Sequence, residues 1–254
     1  VDDRTLEQQK MSESSEKFPV LGVGVNLLDD YADWLSSRLQ QKIGTHVVTL
    51  NAEMAIEAEE NPPLTSIIQQ ADLVIPDGSG ITFYLWLYGK RQQRCPGIEL
   101  AESLLQRAGE MGSSYPVFFY GGQPEIAKKA AEMWQEKLPN LAIAGTESGY
   151  LSPESEPAFL QTLESLQPSI ILVGLGAPRQ ELWIAKHRHL CPQAIWIGVG
   201  GSLDIWAGIK TRAPIWLRDL NLEWLYRLYQ EPWRWKRMLA LPQFALRALS
   251  GRWA

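Results

Sequence analysis

An aspartate set among small residues at the end of an apolar run is the strongest sign of chemistry in this chain. Pro76-Asp77-Gly78-Ser79-Gly80 follows Leu73-Val74-Ile75. A carboxylate placed there is partly desolvated, which raises its pKa, and the glycines leave room for a ligand. Asp77 can then act as a general base toward a hydroxyl. The same side chain could instead cap a helix opened by Ser79-Gly80. Thr49 and Asn51 end the preceding apolar run. If the two runs are neighbouring strands, both residues face the same cleft as Asp77; otherwise they are strand filler and a turn residue. Arg91 and Arg94 follow a long helical pattern and either meet a phosphate or are simply solvated.

Three further loops share the glycine-rich character: Gly121-Gly122-Gln123-Pro124, the stretch Gly174-Leu175-Gly176-Ala177-Pro178-Arg179-Gln180-Glu181, and Gly198-Val199-Gly200-Gly201. Small residues let a ligand approach the backbone, and helix N-termini offer N–H donors to phosphate, so four such loops on one rim suggest nucleotide binding. At any single loop, glycine can merely turn the chain. Several other chemistries fail. Gly22-Val23-Gly24 meets Leu27, and Gly174-Leu175-Gly176 meets Arg179, where the dinucleotide fingerprint needs its third glycine. There is no Walker loop, no H-E-x-x-H and no Asp-x-Asp pair for a cation bridging a diphosphate. His187, His189 and Cys191 lie close together, but on a helix only 187 and 191 share a face, which suits a helix end better than a metal site.

The elements that must position these residues alternate. Strands are expected at residues 20–27, 47–51, 73–76, 117–120, 141–144, 170–175 and 194–199, mostly as continuous apolar runs of the kind buried on both faces of a parallel sheet. Helical patterns at 29–42, 98–111, 124–138, 153–166 and 179–190 intervene. The expected fold class is therefore α/β, a doubly wound, mostly parallel Rossmann-like sheet with ligands at the carboxyl ends of its strands. Residues 1–18 read as a polar, mobile tail, 19–200 as the α/β nucleotide-binding domain, which the resemblance below makes nucleotide-sugar-binding and catalytic, and 201–254 as a helical C-terminal appendage broken at Pro214, Pro232 and Pro242.

That appendage differs in composition from the body. Six of the eleven tryptophans fall in the last 49 residues, and residues 223–254 hold six cations against two carboxylates in a chain of net charge -5. Arg227, Arg234 and Arg237 can share a helical face if the break at Pro232 is gentle, and could grip a diphosphate in pairs of hydrogen bonds. Tryptophans beside cations also favour a headgroup layer; the plain alternative is a packing helix with a solvated face. The acidic balance argues against a nucleic-acid partner. Two distant cysteines give no disulfide framework and suit a reducing compartment. No apolar run reaches the ~18 residues of a membrane span.

Taken in order, these landmarks resemble the WecG/TagA/CpsF glycosyltransferases of bacterial surface-polysaccharide synthesis. The resemblance runs from about Val20 to Pro242. It includes Thr49-Leu50-Asn51, the Asp77 loop, Arg94-Cys95-Pro96-Gly97, Gly121-Gly122-Gln123-Pro124, Gly149-Tyr150, the Gly174–Glu181 stretch, Gly200-Gly201-Ser202-Leu203-Asp204, Arg212-Ala213-Pro214 and Leu222-Glu223-Trp224-Leu225-Tyr226-Arg227-Leu228. It implies an inverting transferase moving an N-acetylhexosamine-type sugar, N-acetylmannosamine or a relative, from a UDP donor. The acceptor would be a sugar on a polyprenyl diphosphate. By the resemblance Asp77 is the base, Thr49 and Asn51 line its pocket, and Arg94 and Gln180 are further cleft residues. Asp204 lies where nucleotide contacts are expected, and Arg227, Arg234 and Arg237 close over the site. Cys95 stands where valine is usual, and Arg179 where lysine is usual.

No metal or other cofactor is expected. The expected partners are the UDP-sugar, the lipid-diphosphate-linked acceptor and an anionic membrane surface met by the appendage, with Arg247, Arg252 and the outer tryptophans toward lipid. Self-association is left open. The location implied is cytoplasmic, peripheral on the inner face of the plasma membrane. The competing reading is a nucleotide-sugar or lipid-diphosphate binding module without turnover.

Overall fold

The computed structural model describes residues 17–250. The chain begins with an antiparallel hairpin, β1 (Lys17–Val20) and β2 (Val23–Asn26), and continues through α1 (Tyr31–Gln40) into β3 (Thr45–Leu50). Helices α2 (Ala52–Glu60) and α3 (Pro62–Gln70) lead to β4 (Leu73–Pro76), and α4 (Ser79–Leu87) and α5 (Gly97–Met111) lead to β5 (Val117–Gly121). Then come α6 (Ile126–Lys137), β6 (Ile143–Glu147), α7 (Glu156–Leu166), β7 (Ile170–Gly174), α8 (Arg179–His187) and β8 (Ile195–Gly198). After β8 the described chain is helical: α9 (Ser202–Trp206), α10 (Ile215–Asp219), α11 (Glu223–Gln230), α12 (Trp235–Met238) and α13 (Ala240–Leu249).

Six strands form one parallel sheet in the order β4-β3-β8-β7-β5-β6. Both faces are buried, and the period-2 alternation of strand side chains divides the core. Val47, Ile75, Phe119, Leu172 and Ile197 pack against α1, α5, α6 and α9. Val48, Leu50 and Val74 pack against α2, α3, α4 and the hairpin, while Phe118, Ile171 and Trp196 meet α7 and α8. This is the doubly wound α/β sheet expected from the sequence. The chain runs outward from β3 to β4, then crosses to β5 and β6 before returning inward through β7 to β8. Loops from β3, β4, β7 and β8 therefore diverge around the middle of the sheet, where such folds leave a crevice at the strands' carboxyl ends.

The details depart from expectation in three places. The run at 20–27 is not one strand: Leu21 and Gly22 form a two-residue turn with φ of 47° and 85°, pairing Val20 with Val23. Such turns need positive φ at both central positions and more often carry Asn-Gly. Strand β6 begins two residues later than expected, at the sheet edge, where half-exposed side chains blur the apolar signal. The Pro232 break is not gentle: a 3₁₀ turn at Pro232–Arg234 separates α11 from α12, so the three arginines do not share one helix. The C-terminal helices also reach back into the body. Phe244 and Ala248 of α13 are buried with Met54, Ala55 and Tyr84, the Phe244 and Tyr84 rings lying 5.9 Å apart. The N-terminal stretch expected to be a tail lies, up to residue 16, outside the described residues, as do Arg252 and Trp253.

Candidate active site

Asp77 sits one residue past β4, and its main chain is locked to the neighbouring strand by donation from its N–H to the Leu50 carbonyl at 2.9 Å. The helix that follows, α4, is capped by Gly78 with no side-chain bond. Asp77 instead serves α5: its Oδ1 accepts from the Gly97 N–H at 2.8 Å, while the Cys95 N–H donates to the Pro76 carbonyl at 2.9 Å. These two bonds pin the Arg94–Gly97 loop beside the end of β4. Among the described residues no donor reaches Asp77 Oδ2, which leaves that oxygen for a ligand. Burial pushes the Asp77 carboxyl above its usual range. The Gly97 N–H and the Arg227 and Arg94 guanidiniums pull it back down, and Glu223 adds to the rise.

The other rim residues are held as firmly. Thr49, buried on β3, donates to the Gly198 carbonyl at 3.4 Å and packs under Gly97, where any Cβ would come within 2.6 Å of its methyl group. Asn51 caps α2, its Oδ1 accepting from the Met54 N–H at 3.0 Å. Gln180, 3% exposed, ties two loops together: its Oε1 accepts from Gly176 N–H at 3.1 Å and from Gly200 N–H at 3.0 Å. Its Nε2 donates to Glu181 Oε1 at 2.9 Å, and a side chain on Gly198 would run into this amide. With Oε1 shared by two N–H groups and one Nε2 hydrogen engaged, Gln180 shapes the cleft floor and keeps one donor for a ligand.

Across the cleft stand the C-terminal helices. Arg227, Arg234 and Arg237 all line the same cavity as Thr49, Asn51, Asp77, Arg94 and Gln180. Arg237 pairs with Glu53 at 3.3 Å and Arg234 with Glu231 at 2.8 Å, whereas Arg227 has no carboxylate within pairing distance among the described residues. Burial lowers the Arg234 pKa against the pull of Glu231, and Arg227 and Arg237 lower it further. Three cations crowded in this way are relieved by a bound anion, and guanidiniums are suited to a diphosphate. Arg94 reaches Glu223 at 3.4 Å; Glu223 also accepts from Arg212 at 3.4 Å, and Arg212 pairs with Glu99 at 2.6 Å. This chain of charges holds the arginine-bearing wall against the Asp77 loop.

Some expected residues fall elsewhere. Asp204 is not part of the cavity lining: its Oδ2 accepts from Lys210 at 2.9 Å, and Lys210 also pairs with Glu231 at 3.1 Å, which anchors α9 to the end of α11. The Gly121-Gly122 loop does not join the cleft either. It packs against its neighbours, Gly122 donating to Gly174 and accepting from Gly149. Arg247 pairs with Glu59 of α2 at 3.2 Å rather than standing free. His187 Nδ1 lies 3.0 Å from the Trp183 carbonyl, and Cys191 donates to the Leu163 carbonyl, so both are tied into the core. Glu53, Glu57 and Glu223 line the cavity without having been singled out. The two α2 carboxylates, one helical turn apart just after Asn51, were the available signal.

A carboxylate at a strand end, facing a cationic wall over a crevice in a doubly wound sheet, is chemically suited to group transfer on phosphorylated substrates. The chain belongs to the glycosyl transferase WecG/TagA/CpsF family, whose model matches residues 18–254, and it is a glycosyltransferase. A relative from Bacillus spizizenii is 38% identical over 212 residues, covering 83% of this chain and 81% of that protein. One from Bacillus subtilis is 36% identical over 224 residues, covering 87% and 86%. Both are named N-acetylglucosaminyldiphosphoundecaprenol N-acetyl-beta-D-mannosaminyltransferase.

Proposed function

We propose that this enzyme transfers N-acetylmannosamine, or a close N-acetylhexosamine, from a UDP donor to N-acetylglucosamine on a polyprenyl diphosphate. The observation that carries the reading is the position of Asp77: one carboxylate oxygen is tied to Gly97, the other has no partner among the described residues, and Arg227 and Arg94 lie close enough to act on its charge. The transferred sugar and the acceptor are carried over from the relatives' names, which specify a mannosaminyl group in β linkage and a diphosphoundecaprenol acceptor; the UDP carrier is our reading of a crevice suited to phosphate.

In this reading Asp77 removes the proton from the acceptor hydroxyl as its oxygen bonds to the anomeric carbon. The bond from that carbon to the UDP oxygen breaks, and UDP leaves with the electron pair. A β product from an α-linked donor requires a single displacement with inversion. The arginines of the wall, with the N-terminal turns of α2 and α4 bordering the cavity, offset the diphosphate charge, and no divalent cation is required. The exposed Trp216, Tyr229, Trp233 and Trp235 on the C-terminal helices face an anionic leaflet on the cytoplasmic side, where the acceptor's lipid is embedded. Among the described residues no helix is long and apolar enough to cross a membrane.

The test is a panel of UDP-sugars offered with a short-chain N-acetylglucosaminyl diphosphate lipid, products weighed by mass spectrometry, with and without chelator. One added N-acetylhexosamine, formed equally in chelator, is the expected result. Transfer of a different sugar class would overturn the donor assignment, and activity lost to chelator and restored by magnesium would overturn the metal-free mechanism.

A further inference from the structure

Beside the polar cavity runs a second, open groove that no step above uses. One wall is α4, through Phe83 and Trp86; the other is α13, through Leu241, Phe244 and Ala245, and Trp224 stands at the junction. Phe83 and Trp86 are 43% and 65% exposed, with their rings stacked at 6.0 Å. The core-facing side of α4 is already supplied by the buried Ile81, Tyr84 and Leu85, so packing gives no reason for these two aromatics. This helix has no charged residue on any side, and a helix apolar all round is normally covered. No ionisable residue lines the groove, and Leu241 and Trp224 belong to both it and the arginine-lined cavity, Leu241 four residues after Arg237.

We propose that this groove binds the first isoprene units of the acceptor's lipid chain. The proposal rests on the acceptor assignment above. The groove shares Ala52, Ser79, Gly80, Asn221, Trp224 and Leu241 with the cavity that holds Asp77 and the arginines, so a chain attached to a diphosphate in that cavity can pass straight into it. Burying even part of one isoprene unit releases enough water from apolar surface to matter for affinity. A seated chain also fixes the direction from which the diphosphate enters, so the acceptor hydroxyl is presented to Asp77 rather than tumbling about a lipid anchor.

The experiment measures binding by calorimetry, without detergent, of farnesyl diphosphate and of inorganic diphosphate to the full chain. It compares the wild type with Ala245→Trp, which fills the groove, and with Trp86→Glu, a surface change that does not tax folding. Farnesyl diphosphate is expected to bind the wild type at least about tenfold more tightly than diphosphate, the effect of burying roughly two methylene groups. In both variants that ratio should fall toward one. A ratio near one in the wild type, or an advantage that survives both variants, overturns the proposal. So does a wild-type dimer that Trp86→Glu dissolves without any isoprenoid advantage, since the groove would then be covered by a second copy of the chain. Because binding is read without turnover, the outcomes are separable. A normal farnesyl advantage with no sugar transfer sinks the assigned reaction and leaves the groove; transfer without the advantage does the reverse.

Discussion

The two sides of the cleft are built by different means. The strand-end rim is held by hydrogen bonds from buried or half-buried groups: Thr49 to Gly198, Asn51 to its own helix, Asp77 to Gly97, and Gln180 to two loops at once. The opposite wall, α11 to α12, is held by ion pairs between partly exposed side chains: Arg94 with Glu223, Arg212 with Glu223 and Glu99, and Lys210 with Asp204 and Glu231. Side chains that keep a face open to solvent leave such pairs partly screened by salt, more than the uncharged hydrogen bonds of the rim. A rigid rim suits the reacting atoms, whose alignment sets the rate. For the proposed reaction, a wall held by ion pairs suits a surface that admits a lipid-linked substrate and grips its diphosphate.

The harshest test of the rim is its base. Asp77→Asn keeps the shape and an oxygen to accept from Gly97, but cannot take a proton. Turnover is expected to fall about 10²–10⁴-fold, with UDP-sugar affinity retained. Near-normal turnover would remove Asp77 from the chemistry. Gly97→Ala comes next: its new methyl would press on the Thr49 methyl at 2.6 Å and lever the Asp77 bond apart. A displacement of about 1 Å in such a site can cost roughly 10²-fold in rate. If the alanine variant keeps full turnover, the rim is softer than these contacts imply.

Much of the rim was legible in the sequence because its signals are local. An apolar run ending in Pro-Asp-Gly predicts a strand and a polar residue at its tip, and the sheet puts Thr49, Asn51 and Asp77 where that reading required. The wall was legible only in composition. Clustered arginines announced an anion site, but the ion pairs joining Glu223 to Arg94 and Arg212 link residues far apart in sequence, and no periodicity encodes them. Two misses have local causes instead: Asp204 meets Lys210 six residues on across a turn, which no helical spacing announces, and the Leu21-Gly22 turn puts a leucine at φ 47° inside an apolar run.

The wall can be tested through the rim's own titration. The proposed mechanism needs Asp77 ionised, so the rate should fall as pH drops through its pKa. Arg227 lowers that pKa and Glu223 raises it. Arg227→Gln should therefore move the acidic limb of the rate profile to higher pH, and Glu223→Gln should move it lower. Profiles that shift together, or not at all, would mean the wall is too distant in solution to act on the base.

The smallest effect expected belongs to the rim's foundation. Glu181 is fully buried under the cleft floor, with Oε1 accepting from Gln180 and Oε2 without a partner among the described residues. Burial pushes its carboxyl up from the ordinary 4.5 to about 7, against the pull of the Gln180 bond. A carboxyl with a raised pKa binds its proton more tightly in the fold than in the unfolded chain. Its favourable share of stability is therefore complete below pH 4.5 and lost as pH rises to about 7. Glu181→Gln imitates the protonated state and keeps an oxygen to accept from Gln180. The variant should melt close to the wild type at pH 5 and a few degrees above it at pH 8, with transfer at neutral pH little changed. Melting curves that stay parallel across that range would show that Glu181 carries no proton in the fold, and that the floor beneath Gln180 is wetter than its burial implies.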